Sequence, residues 1–140
     1  MKREVILSLR GCQNYPEQEP DTIEMVTEGT LEMFPGGWRV EYQESELTGL
    51  QGVTTIFSSH EGAITLTRKG ALNSQMVFQE GVRHDSLYET DLGALMISVT
   101  AQKITDAVTE TGGTVDLSYA IEIENTTAGT IDYHLDVRVK

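Results

Sequence analysis

Two charged side chains fall at positions where strand alternation would point them into a protein core. Glu44 follows the apolar even-numbered positions of segment 38–42, and Arg68 follows those of segment 64–66. A lone buried charge costs several kcal/mol, so two buried charges of opposite sign need each other. The sequence therefore predicts that Glu44 and Arg68 pair inside the domain or at its mouth.

Tyr42 has the same inward parity as Glu44, and both Tyr42 and Tyr88 are expected close to this pair. The functional interpretation is a ligand site in which Arg68 anchors a carboxylate or phosphate, held in place by Glu44 and the two tyrosines. The structural interpretation is a satisfied polar cluster that fixes strand register and closes one end of a barrel. A barrel of this size can be filled by its own side chains, so both interpretations stay open.

The elements that would position these residues are β-strands. Apolar residues alternate with polar ones at a period of two, most plainly at odd positions of segments 5–9, 115–123 and 131–139. The segments between them contain turn residues, including Gly36-Gly37 and Gly112-Gly113. No amphipathic helical stripe exceeds one or two turns, although the loop at 14–21 could hold one helical turn.

This pattern favours an all-β fold, and specifically a closed antiparallel barrel of about ten strands in one domain covering residues 1–140. Long amphipathic strands left as open edges would invite aggregation, and closure removes the edges. The prediction includes at most one or two short helices.

From residue 42 onward, spaced polar and aromatic residues form a pattern that resembles a known family. The pattern is Tyr42-x-Glu44, Gly49, Thr54-Thr55, Arg68-x-Gly70, Met76-x-Phe78 and Tyr88-x-Thr90-x-x-Gly93. It is similar to the YwiB-like family of small bacterial proteins. The resemblance implies a lipocalin-like (calycin) β-barrel and a Gram-positive bacterial source, and it implies no activity. Lipocalin-like barrels often bind small apolar molecules, which is an analogy of fold alone.

Other chemistry is poorly supported by the sequence. Cys12 is the single cysteine and has no neighbouring motif of a nucleophile, so it is interpreted as an inert thiol near a strand end. The three histidines lack metal-ligand spacing, and nucleophile elbows, phosphate loops and dinucleotide fingerprints are absent. We therefore expect no metal site and no cofactor, and an enzyme is the least favoured class.

The formal net charge of −12 bears on partners. Because like charges repel, nucleic acid and anionic membrane surfaces are poor candidates. The lone cysteine, the short apolar run after Met1 and the lack of a long apolar window favour a cytoplasmic protein. The sequence leaves the oligomeric state open.

Two functions from different classes remain. The leading hypothesis is a barrel that binds a small apolar or anionic molecule, oriented by Arg68 and Glu44. The alternative is a protein-interaction or regulatory module that uses its acidic outer face and has a filled interior. A cavity in the interior would favour the first, and a packed interior the second.

Overall fold

A computed structural model describes residues 2–15, 19–45 and 50–140 of the 140-residue chain. Its elements are ten β-strands, and no helix occurs among the described residues. The strands are β1 (Lys2–Asn14), β2 (Asp21–Phe34), β3 (Gly37–Gln43), β4 (Val53–His60), β5 (Ala63–Gly70), β6 (Asn73–Phe78), β7 (Arg83–Thr90), β8 (Gly93–Asp106), β9 (Gly112–Ile123) and β10 (Thr126–Val139).

The strands form a closed antiparallel barrel, as the sequence predicts. Each strand pairs with the next along the chain, and the long first and last strands close the barrel. The closing register runs from Val5 opposite Val139 to Asn14 opposite Thr130. Closure pairs the outer edge of β1 with that of β10, which leaves neither strand as a free template for aggregation.

Turn glycines end the strands where the alternation predicts hairpins. At the β8–β9 hairpin, Gly112 and Gly113 have φ angles of +108° and +145°. A β-carbon at Gly113 would lie 2.0 Å from the carbonyl oxygen of Ala107, so this approach of two backbones requires glycine. The predicted helical turn in segment 14–21 falls partly on residues 16–18, which lie outside the described residues.

The two ends of the barrel differ. At the end where β3 begins and β8 finishes, here called the tryptophan end, the indole N–H of buried Trp38 donates to the carboxylate of Asp106 at 3.0 and 3.1 Å. The hydroxyl of Ser59 donates to the same carboxylate at 2.7 Å. At the opposite end, here called the cavity end, β3 and β5 finish, and the core is less completely filled.

Alternation sets the direction of the side chains, but burial falls off toward the cavity end. Val115, Leu117 and Tyr119 are buried as expected, whereas Ile123 on the same face of β9 is 37% exposed. Ile23 of β2 is also on the inward face by register and is 47% exposed. These residues sit where the strands leave the core, so inward parity there places a side chain at the mouth of the barrel.

Candidate ligand-binding cavity

A cavity of about 310 Å³ occupies the cavity end of the barrel. All five tyrosines of the chain line it, together with Glu44 and Arg68. The complete lining is Leu9, Gly11, Gln13, Tyr15, Ile23, Met25, Tyr42, Glu44, Leu50, Leu66, Arg68, Met76, Tyr88, Ile97, Tyr119, Ile121, Ile131 and Tyr133. The four predicted site residues Arg68, Glu44, Tyr42 and Tyr88 therefore meet at one cavity.

Strand register explains why the polar residues gather there. Directly opposed residues on β3 to β7 form a continuous row across five strands, here called the polar row. It consists of Tyr42, Thr55, Arg68, Ser74 and Tyr88. Opposed residues of an antiparallel sheet have their β-carbons about 4.5–5.5 Å apart and lie on the same face. Because opposed residues share a face of the sheet, all five side chains point toward the interior.

Glu44 follows the last residue of β3 yet keeps the inward direction of that strand. Its backbone N–H donates to the carbonyl of Val53 at 2.9 Å, which continues the pairing of β3 with β4 by one residue. Its side chain is buried, with 8% exposure, and accepts a hydrogen bond from the hydroxyl of Thr55 at 2.5 Å. The predicted inward position of Glu44 is thus found in the structure.

The predicted direct pair between Glu44 and Arg68 is not formed. Among the ion pairs of the described residues, none joins these two side chains. Strand order keeps the two residues from lying opposite each other: Glu44 continues β3, Arg68 lies on β5, and β4 separates them. Neighbouring strands are about 4.8 Å apart, so the two backbones are roughly 10 Å apart. Thr55 of β4 occupies the place between them and takes the hydrogen bond with Glu44.

Two adjacent members of the polar row carry buried polar atoms without a hydrogen-bond partner. These atoms are Nε of Arg68 and Oγ of Ser74, which sit directly opposite each other on β5 and β6. Among the residues that the structure describes, these are the side-chain atoms of this kind. Buried polar groups in native proteins are nearly always bonded, so each exception needs a physical explanation.

The buried tyrosines present neutral phenols to the cavity. Burial raises the pKa of Tyr42, Tyr119 and Tyr133 above the usual value for a tyrosine. Nearby charges oppose one another, since Glu44 raises the pKa of Tyr42 further while Arg68 lowers it. At neutral pH these phenols keep their protons and can donate hydrogen bonds as well as accept them.

Two of the aromatic walls are backed by core residues. The ring of Tyr133 packs against Phe57 with centroids 5.4 Å apart, and the ring of Tyr119 packs against Phe78 at 4.5 Å. Both pairs are tilted, a geometry that aromatic rings favour. Packing against these core phenylalanines therefore sets the positions of the two tyrosine rings.

Several cavity residues were not singled out by the sequence as ligand-site residues. Tyr119 and Tyr133 were assigned to the inward face and interpreted as core rather than as pocket residues, and Tyr15, Gln13 and Ser74 were not identified. Inward parity was the available signal for Tyr119 and Tyr133. Tyr15 follows the end of β1, where alternation carries no information.

Other chemically capable residues do not converge on a site. In the described ranges, no group of three or more His, Cys, Asp or Glu residues could hold a metal ion. His134 contacts Asp116 at 2.6 Å on the outer face. Cys12 lies within β1, opposite Asp132 of β10, two residues before the strand ends. No helix in the described part of the chain is long and apolar enough to cross a membrane.

Fold and cavity together define a class of protein, a small closed antiparallel barrel with a tyrosine-lined cavity at one end. Residues 7–135 match the family described as "Domain of unknown function (DUF1934)", and the chain belongs to that family. The crystal structure of the ywiB protein from Bacillus subtilis is similar in fold, with a TM-score of 0.83 and 18% sequence identity over 99% of this chain and 93% of that one. No curated protein shows significant similarity.

The family match and the shared fold confirm the resemblance to YwiB-like proteins predicted from the spaced motif. Tyr42, Thr55, Arg68 and Tyr88 of that motif are neighbours in the polar row. Gly49 of the motif lies outside the described residues.

Proposed function

We propose that this barrel binds a small, largely apolar molecule that carries an anionic group, and that Arg68 holds that group. One observation carries the proposal: the buried Nε of Arg68 has no hydrogen-bond partner and belongs to the side chain that supplies positive charge to a tyrosine-lined cavity. A guanidinium donates hydrogen bonds in a planar fork that matches carboxylates and phosphates.

The rest of the lining supports an apolar ligand body. Leu66, Met76, Ile97 and Ile131 contribute aliphatic surface, and the tyrosines add aromatic faces. Binding sites for small molecules are typically concave, mostly apolar and equipped with a few placed polar groups. The cavity volume of about 310 Å³ corresponds to about ten water molecules at liquid density. The ligand is therefore expected to have on the order of ten to fifteen non-hydrogen atoms.

The alternative function, a protein-interaction module, required a filled interior. The cavity of about 310 Å³ does not match a filled interior, so the binding function is favoured. An enzyme is less well supported, because Arg68, Thr55 and the neutral tyrosines provide binding groups without an evident nucleophile or metal centre in the described residues. Sequestering or carrying a ligand needs only the binding groups.

Affinity can be estimated from ligand size. At about 0.5 kcal/mol for each non-hydrogen atom, a probe of about thirteen such atoms binds with about −6.5 kcal/mol, or a Kd of roughly 10–100 μM. The aromatic carboxylate 2-naphthoate is a probe of this size. Titration calorimetry at protein concentrations near this Kd would measure its binding.

The methionines locate the bound probe. Met25 and Met76 line the cavity, whereas Met33 and Met96 do not. In NMR spectra of protein labelled at the methionine methyl groups, 2-naphthoate should shift the signals of Met25 and Met76 and leave those of Met33 and Met96 in place. The matched control is Arg68→Leu, which should weaken binding by more than tenfold, since hydrogen bonds to charged groups are worth about 1.5–3 kcal/mol. Failure of 2-naphthoate and of related small carboxylates to move Met25 and Met76 would contradict the proposal.

A further inference from the structure

The two unpartnered atoms of the polar row share a location. Nε of Arg68 and Oγ of Ser74 belong to directly opposed residues, and Ser74 in turn faces Tyr88 on β7. Ser74 is 8% exposed, and its neighbours on both sides of the row line the cavity. A single acceptor group lying against the inward face of β5 and β6 could receive hydrogen bonds from both atoms.

We infer that Ser74 and Arg68 form a common seat for one carboxylate of the ligand. This inference rests on the proposed function and specifies the anion and its second anchor. Nε–H of Arg68 and Oγ–H of Ser74 are donors, and a carboxylate offers two oxygens with about four acceptor positions. One acceptor shared by the two donors would account for both unpartnered atoms at once.

Charge selects a carboxylate over a phosphate. Among the described residues that line the cavity, Arg68 is the one cation, and the Glu44 side chain lines the same cavity. The formal charges of Arg68 and Glu44 cancel, so a monocarboxylate adds one uncompensated negative charge to the cavity, whereas a phosphate monoester adds about 1.5 to 2 at neutral pH. The net charge of −12 on the whole chain disfavours the additional negative charge as well.

The test compares three probes with the same ring system: 2-naphthoate, 2-naphthyl phosphate and uncharged 2-naphthamide. The parent protein should bind 2-naphthoate at least tenfold more tightly than either of the others. Ser74→Ala should weaken binding of 2-naphthoate about three- to tenfold, the range expected for one neutral hydrogen bond. Ser59→Ala is the matched control, a buried serine at the tryptophan end, and should change the affinity less than twofold.

Stability separates a ligand seat from a structural role. Because the Ser74 hydroxyl is buried without a protein partner, Ser74→Ala should have the same urea midpoint as the parent protein or a higher one. If the hydroxyl instead served the fold through a buried water, the midpoint would fall and the affinity for 2-naphthoate would not change. That result would overturn the inference.

The remaining outcomes distinguish this inference from the proposed function. If 2-naphthoate moves the Met25 and Met76 signals but Ser74→Ala binds it as tightly as the parent, the shared seat is wrong and the binding function stands. Tighter binding of 2-naphthyl phosphate than of 2-naphthoate would overturn the choice of a single carboxylate. If none of the probes enters the cavity, the proposed function fails with the inference.

Discussion

Removal of the Asp106 carboxylate should destabilise the tryptophan end without changing the cavity. This carboxylate accepts from the indole N–H of Trp38 at 3.0 and 3.1 Å, from the hydroxyl of Ser59 at 2.7 Å and from the backbone N–H of Val108 at 3.2 Å. Trp38 and Ser59 are 2% and 5% exposed, so Asp106→Ala leaves two buried donors without an acceptor.

The size of the effect follows from those two donors. An unsatisfied buried donor costs about 1–3 kcal/mol. Asp106 itself is exposed, so water can replace part of its interaction, and we expect a total loss of about 2–4 kcal/mol in the free energy of unfolding. Asp106→Asn keeps one carbonyl oxygen as an acceptor and should lose about half as much.

Urea unfolding followed by the fluorescence of Trp38, the single tryptophan, measures this directly. A double-mutant cycle with Trp38→Phe, followed by far-ultraviolet circular dichroism because that background has no tryptophan, isolates the indole contribution, and Asp106→Ala should cost about 1 kcal/mol less there. Affinity for 2-naphthoate should stay within twofold of the parent value, because Asp106 lies outside the cavity lining. A loss below about 0.5 kcal/mol for Asp106→Ala, the range of ordinary surface changes, would refute this account of the tryptophan end.

Three further predictions concern the cavity and the surface. Burial raises the pKa of Tyr42, Tyr119 and Tyr133, so their contribution to stability is complete below about pH 10 and is lost as the pH rises above it. Above that pH, Tyr42→Phe should make the decline in unfolding free energy shallower by about 1.4 kcal/mol per pH unit. An unchanged slope would contradict this prediction. Thr55→Val removes the donor to buried Glu44 and should cost about 1–3 kcal/mol in urea unfolding, most of it recovered in the double variant with Glu44→Gln; no recovery would show that the Thr55 hydroxyl acts elsewhere. The charge of −12 predicts no retention of DNA or RNA in gel-shift assays at physiological salt, and salt-sensitive micromolar binding would overturn that expectation.

The sequence was sufficient to predict the fold because the alternation of apolar and polar residues shows which side of each strand faces the core. Leu117 and Tyr119 are buried where parity places them, and glycines mark the hairpin at 112–113. Parity also placed Glu44 and Arg68 correctly on the interior side. For this part of the site, local pattern and global fold agree.

Alternation could not predict which inward side chains meet. Contact depends on strand order and register, and β4 places Thr55 between Glu44 and Arg68. Nor could it predict how completely the interior is filled, which is why Ile123 was expected in the core and is found at the mouth. Ser74 was missed because a lone serine in a short strand carries no signal until its register opposite Arg68 is known.

The central claim is that Arg68 binds a ligand and adds nothing to the free energy of unfolding of the ligand-free protein. One series of urea unfolding curves tests this claim most directly. Parent protein and Arg68→Met are compared with and without saturating 2-naphthoate, which stabilises a protein that binds it according to its concentration relative to Kd. We expect Arg68→Met without probe to be as stable as the parent or more stable, because the guanidinium Nε has no partner to lose, and we expect 2-naphthoate to stabilise only the parent. A loss of about 3–5 kcal/mol in Arg68→Met without probe, as for a broken buried ion pair, or equal stabilisation of both proteins by 2-naphthoate, would contradict the claim.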